Sequence, residues 1–73
     1  MRMTQRHRKQ SAMTEEELPY REWRIEVMPH GGGWNALIYR PGATKSEKIT
    51  PYAPYRITVI EEAQKYIDEN RLK

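Results

Sequence analysis

The sequence predicts an α+β domain: a small antiparallel sheet of three strands, followed by one C-terminal helix that packs on one face of the sheet (β-β-β-α). Two stretches, residues 21–28 and 34–40, alternate apolar and polar side chains, which predicts neighbouring strands because successive strand residues point to opposite faces. Three consecutive glycines between them, residues 31–33, tolerate the backbone angles of a hairpin loop. Apolar residues within 59–67 recur at helical spacing and predict the helix.

The composition limits the chain to one small domain. Its 73 residues include no cysteine, so apolar packing or a partner must supply the stability that disulfides give other short chains. Residues 1–18 contain few apolar side chains and are basic in 1–10 and acidic in 15–17, which predicts a disordered tail. The single βββα domain is therefore expected over residues 19–73. Met13 offers an alternative start that would remove the residues before it.

The first two predicted strands share one apolar face. In the first strand this face consists of Trp23, Ile25 and Val27, which alternate with charged residues. Pairing of Val27 with Trp34 or Ala36 of the returning strand would bring the apolar faces of both strands together. The opposite face of the sheet then carries a mixed set of side chains: Arg24, Glu26, Met28, Leu37 and Tyr39.

Prolines set the remaining strand boundaries. Pro29 cannot donate a hydrogen bond to a neighbouring strand and is expected to end the first one. The Pro-Gly pair at residues 41–42 marks a turn into a polar loop. A short third strand is expected at residues 48–50, where Pro51 stops it. Residues 52–55 are expected to form an extended linker, because a residue that precedes proline avoids helical geometry.

The helix has a start signal and an apolar stripe. Thr58 and Glu61 have the spacing of a capping box, in which each side chain accepts a hydrogen bond from a free backbone N–H. Ile60, Ala63 and Ile67 line one side of the helix and are expected to face the sheet.

The sequence offers no constellation for catalysis. His7 and His30 are its only histidines and lie far apart, so no metal site is expected. Its serines lack the context of an activated nucleophile, and its carboxylates fall mainly on predicted solvated surfaces. We therefore expect no enzyme activity, no cofactor and no small-molecule substrate. No apolar run approaches the ~18 residues of a membrane span, and no secretory signal is evident, so a cytoplasmic location is expected.

Basic residues cluster in the predicted sheet and its loops, which favours a non-enzymatic module that binds double-stranded DNA. Arginine and asparagine are the side chains that read guanine and adenine edges, and a sheet can enter the major groove. The basic tail would add attraction to phosphates that does not depend on base sequence. The candidate nucleic-acid-binding residues are Arg21, Arg24, Asn35, Tyr39, Arg40, Lys45 and Lys48.

The alternative is a protein-interaction module or a small regulatory partner protein. Its interface would include Met28, Leu37, Tyr39 and the Pro-Tyr segment 51–55, which together leave apolar surface on the sheet. An unpaired edge at the short third strand could also accept a strand from a partner or from a second copy in a homodimer.

Residues 33–40, which begin Gly-Trp, and residues 58–63, which run from Thr to Glu-Glu-Ala, resemble two known families. One comprises the three-stranded-sheet DNA-binding domains of plant AP2 proteins and phage-type integrase N-termini. This resemblance implies that the sheet face contacts the major groove, through Arg24, Asn35, Tyr39 and Arg40. The other comprises the HicB-type antitoxins, to which the Pro-Gly turn at residues 41–42 is also similar. That resemblance implies pairing with a toxin protein.

Overall fold

The computed structural model describes residues 15–72. The described elements are the strands β1 (Glu16–Tyr20), β2 (Trp23–His30), β3 (Gly33–Tyr39) and β4 (Lys48–Ile49), and the helix α1 (Arg56–Asn70). The strands form one sheet in the order β1-β2-β3-β4, and every neighbouring pair is antiparallel. The predicted α+β class, with an antiparallel sheet followed by a C-terminal helix, is confirmed, but the sheet has four strands instead of the expected three.

The additional strand is β1, which begins inside the segment assigned to the tail. Glu16 pairs with Val27, and Leu18 pairs with Ile25. Leu18 and Tyr20 are half-buried against the core, whereas Glu17 points to the other face of the sheet. The sheet therefore starts before the predicted domain boundary at Pro19. The predicted disorder of residues 1–14 lies outside the described residues.

β1 and β2 are joined by a two-residue turn with an unusual conformation. Its central residues, Arg21 and Glu22, have φ angles of 50° and 73°. A two-residue hairpin turn with positive φ at both positions matches the twist of the strands, but it normally uses glycine or asparagine. For other residues the left-handed region costs roughly 1–2 kcal/mol per residue.

The β2–β3 hairpin has the expected register but a different end. Val27 pairs with Ala36, as predicted, while β2 continues through Pro29 to His30. The prediction that Pro29 ends the strand was wrong, because Pro29 and Trp34 form a non-hydrogen-bonded pair, in which β3 needs no N–H from Pro29. Its partner Trp34 directs both backbone groups to Ala53 on the other side, at 2.8 and 3.1 Å.

The core lies between this sheet and α1. Its buried hydrophobic residues are Trp23, Ile25, Val27, Ala36, Ile38, Ala53, Val59, Ile60, Ala63 and Ile67. The predicted apolar stripe of the helix is therefore buried as expected. Beyond β4, buried Thr50 continues the pairing with β3, because its hydroxyl accepts the N–H of Ala36 at 3.0 Å.

The prediction of a capping box at Thr58 was wrong. The N-cap lies three residues earlier, at Tyr55, so the helix begins at Arg56, and no side chain caps it. Thr58 therefore lies inside the first turn, where its N–H donates to the Tyr55 carbonyl at 3.1 Å. Tyr55 itself is extended, with φ −118° and ψ 135°, so one non-helical residue separates Pro54 from the first residue of the helix.

Candidate binding surface

The face of the sheet opposite α1 is called the open face here. Strand alternation and register place ten side chains on it, those of Glu17, Pro19, Arg24, Glu26, Met28, His30, Asn35, Leu37, Tyr39 and Ile49, and Gly33 occupies the position opposite His30. The predicted set of Arg24, Glu26, Met28, Leu37 and Tyr39 is therefore found together. These side chains are half-buried or exposed, whereas the core side of the same strands is largely buried. The helix thus covers only one face of the sheet.

The half of the open face nearest β4 is apolar. Leu37 pairs with Ile49, whose side chain is 57% exposed. Leu37 and Ile49, together with Met28, line a groove of about 200 Å³. His30 also lines this groove, and its ring packs edge-on against Tyr52 at 5.8 Å between centroids. We call Met28, His30, Leu37, Ile49 and Tyr52 the apolar patch.

Gly33 allows Tyr52 to join this patch. A Cβ atom at Gly33 would lie 2.5 Å from Tyr52 Cζ and 2.5 Å from the Ala53 carbonyl oxygen. Strand alternation directs that position to the open face, on the same side as Asn35 and Leu37. The absence of a side chain at Gly33 therefore lets the Tyr52 ring lie against the hairpin end of the sheet.

The other half of the open face is charged, and its charges are paired. Arg24 contacts Glu17 at 2.6 Å, lies over the Tyr39 ring at 4.3 Å, and donates to the Ala43 carbonyl of the β3–β4 loop. The Tyr39 hydroxyl donates to Glu26 at 2.8 Å, and this hydrogen bond raises the pKa of Tyr39. One arginine and two carboxylates give this half a net charge of −1.

The seven candidate nucleic-acid-binding residues do not share one surface. Arg24, Asn35 and Tyr39 lie on the open face, where the Asn35 amide donates to the Thr50 carbonyl at 3.1 Å. The other four lie elsewhere: Arg21 in the β1–β2 turn, Lys45 in the β3–β4 loop, and Arg40 and Lys48 on the helix side.

Arg40 belongs to a network that joins the β3–β4 loop to the helix. Its Nε and Nη2 atoms contact Glu47 at 2.7 and 3.1 Å, and its guanidinium lies over the Trp23 ring at 4.6 Å. The Tyr66 hydroxyl donates to the same carboxylate at 2.7 Å. The hydrogen bonds from Arg40 and then from Tyr66 lower the pKa of Glu47, and the bond to Glu47 raises the pKa of Tyr66.

Sequence reasoning missed two members of the apolar patch. Ile49 was assigned to the predicted short strand at residues 48–50 without a face, because so few residues give too little alternation to assign one. His30 was expected outside the first strand, because Pro29 was predicted to end it, although His30 ends β2 and packs on Tyr52. The spacing to Met28 would have assigned His30 to the open face once β2 was known to continue past Pro29.

Among residues 15–72, no group of three or more histidine and acidic side chains is arranged to hold a metal ion. In the same part of the chain, no helix is long and apolar enough to cross a membrane. Comparisons with protein-family models, curated proteins and solved structures found no match to this chain. The resemblances to AP2-like domains and to HicB-type antitoxins stay predictions.

Proposed function

We propose that this chain is a non-enzymatic protein-interaction module whose open face binds another protein. The observation that supports this proposal is the apolar patch, where Ile49 is 57% exposed beside Leu37 and Met28 on a face that α1 leaves uncovered. Contiguous apolar surface bounded by polar groups is typical of a protein interaction site. A cytoplasmic location is part of this proposal.

The charges beside the patch define the chemistry of the partner. Glu17 and Glu26 outnumber Arg24 on the open face, so a partner surface with an apolar centre and a basic rim is complementary to it. Apolar contact at the patch supplies affinity, while the rim charges select orientation and accelerate encounter.

The same charges weigh against the DNA hypothesis. Phosphate contacts need cations that are free to replace counterions. On the open face the single arginine already contacts Glu17, stacks on Tyr39 and donates to Ala43. Duplex DNA binding through this face stays a prediction, but no geometric feature of the face supports it.

Site-specific photo-crosslinking tests the proposal. A photoreactive phenylalanine analogue at Ile49, in cells that make the protein, is expected to form a covalent adduct with one discrete protein. The matched control carries the same analogue at Glu62, an exposed position on the helix. Leu37→Ser should abolish the Ile49 adduct. An adduct of twice the mass of the chain would identify a homodimer, and equal labelling from both positions would contradict a specific interface.

A second measurement distinguishes the DNA hypothesis from the protein-interaction proposal. The binding of a labelled DNA duplex is measured by fluorescence anisotropy at low and moderate salt. We expect no saturable binding that requires Arg24 or Arg40. Binding that falls steeply with salt, and weakens further when Arg24 and Arg40 are both replaced by alanine, would overturn the protein-interaction proposal in favour of DNA.

A further inference from the structure

A separate cleft of about 590 Å³ lies at the other end of β2 from the apolar patch. β2 runs from Trp23, which lines the cleft, to His30, which lines the patch groove. Three elements meet at the cleft: the β1–β2 turn, the segment after β3, and the end of α1. Each contributes one arginine, namely Arg21, Arg40 and Arg71.

Two of these arginines are already oriented by carboxylates. Arg21 Nε contacts Asp68 Oδ1 at 2.9 Å, and Arg40 contacts Glu47 through Nε and Nη2. These ion pairs engage Nε of Arg21 and Nε and Nη2 of Arg40, and Arg21 also contacts the Tyr20 side chain. Side chains that are held in place before binding lose less conformational entropy when a ligand arrives. Arg71, the C-cap residue of α1, completes the cleft from the helix end.

The guanidinium groups that line the cleft can hydrogen-bond an oxyanion. Three arginines and the single carboxylate Glu22 line it, which gives a lining charge of +2. Asp68 and Glu47, which pair with Arg21 and Arg40, offset both of these charges, so binding depends on the hydrogen-bond donors of the guanidinium groups rather than on net charge. A phosphate monoester carries close to two negative charges, and its oxygens match the planar fork of a guanidinium.

The β1–β2 turn places charged side chains where glycine would be less strained. Arg21 and Glu22 both have positive φ, and both line the cleft. Arg21 lies on the rim contributed by the sheet, and Arg71 lies on the rim contributed by the helix. We infer that this cleft binds a phosphate dianion, either free inorganic phosphate or the phosphomonoester of a small molecule.

Titration of the full chain with sodium phosphate, followed by NMR chemical shifts against sodium chloride of equal ionic strength, tests this inference. Saturable shifts around the cleft are expected, and Arg71→Gln should weaken binding about tenfold, as expected for loss of one charge-assisted contact. Arg56→Gln is the matched control, because it removes the same charge from an arginine that pairs with Glu16 outside the cleft. Glu22→Gln should tighten binding, a gain that misfolding cannot imitate.

O-phosphoserine titrated in parallel distinguishes the two sources, since tighter binding than inorganic phosphate indicates a phosphomonoester and weaker binding indicates the free ion. Absence of saturation, equal weakening by Arg71→Gln and Arg56→Gln, or no gain from Glu22→Gln would overturn the inference. Leu37→Ser should leave phosphate binding unchanged, so failure of this inference is distinguishable from failure of the proposed function.

Discussion

Replacing Glu47 with glutamine tests the network that ties the β3–β4 loop to the helix. Glu47 accepts hydrogen bonds from Arg40 at 2.7 and 3.1 Å and from Tyr66 at 2.7 Å. Hydrogen bonds to charged groups contribute about 1.5–3 kcal/mol when they are well shielded. The Glu47 and Arg40 side chains are 28% and 46% exposed, so solvent screening reduces the expected loss to roughly 1 kcal/mol.

The effect of Glu47→Gln should depend on pH. Hydrogen bonding to Arg40, and then to Tyr66, lowers the pKa of the Glu47 carboxyl in the folded protein. A group with a lowered folded pKa contributes stability above its unfolded pKa and loses that contribution as pH falls through the folded pKa. The wild type should therefore be more stable than the variant at neutral pH, and the difference should vanish in acid.

Urea denaturation at neutral and acidic pH measures both effects. For a domain of this size, a loss of about 1 kcal/mol lowers the Tm by roughly 4–8 °C. Glu62→Gln, which removes an exposed carboxylate from the helix, should change stability by less than about 0.5 kcal/mol. A Glu47→Gln effect of equal size at both pH values would refute the network as the source of this stability.

Three other substitutions have expected outcomes, each measurable by urea denaturation. Gly33→Ala should lower the free energy of unfolding by about 1–3 kcal/mol, because the added Cβ meets Tyr52 and a backbone carbonyl at 2.5 Å; an unchanged midpoint would contradict this close approach. Glu22→Gly should raise stability by about 1 kcal/mol by relieving the φ of 73°, and a loss of stability would show that the turn is not strained. Ile49→Ser should change stability by less than about 1 kcal/mol, whereas Ile38→Ala, at a fully buried position, should cost about 2–5 kcal/mol; similar losses would contradict the exposure of Ile49.

The central hairpin and the buried stripe of the helix could be predicted because both depend on periodicity. Alternation from Trp23 to Val27 and spacing from Ile60 to Ile67 specify which side chains face the core. β1 could not be predicted in this way. Its five residues include a proline and two glutamates, and it is a strand because Leu18 and Tyr20 pack on the core next to β2.

Because β1 was not predicted from the sequence, the charge of the open face was not predicted correctly either. Arg24 was correctly expected on the open face, but the carboxylate that contacts it, Glu17, belongs to β1. Without that strand Arg24 and Glu26 leave the open face neutral, and with Glu17 its net charge becomes −1. Arg40 could not be placed from sequence either, since its position follows from tertiary contacts with Trp23 and Glu47.

The central claim is that the apolar patch is accessible in the free protein and becomes covered by a partner protein in the cell. Hydroxyl-radical footprinting of Met28, compared between the purified protein and intact cells, tests this claim most directly, because methionine oxidises readily when solvent reaches it. Leu72, which is 83% exposed near the opposite end of the sheet, serves as the internal control. Protection of Met28 in cells, with Leu72 labelled equally in both samples, is the expected result. Equal labelling of Met28 in both samples would contradict the claim.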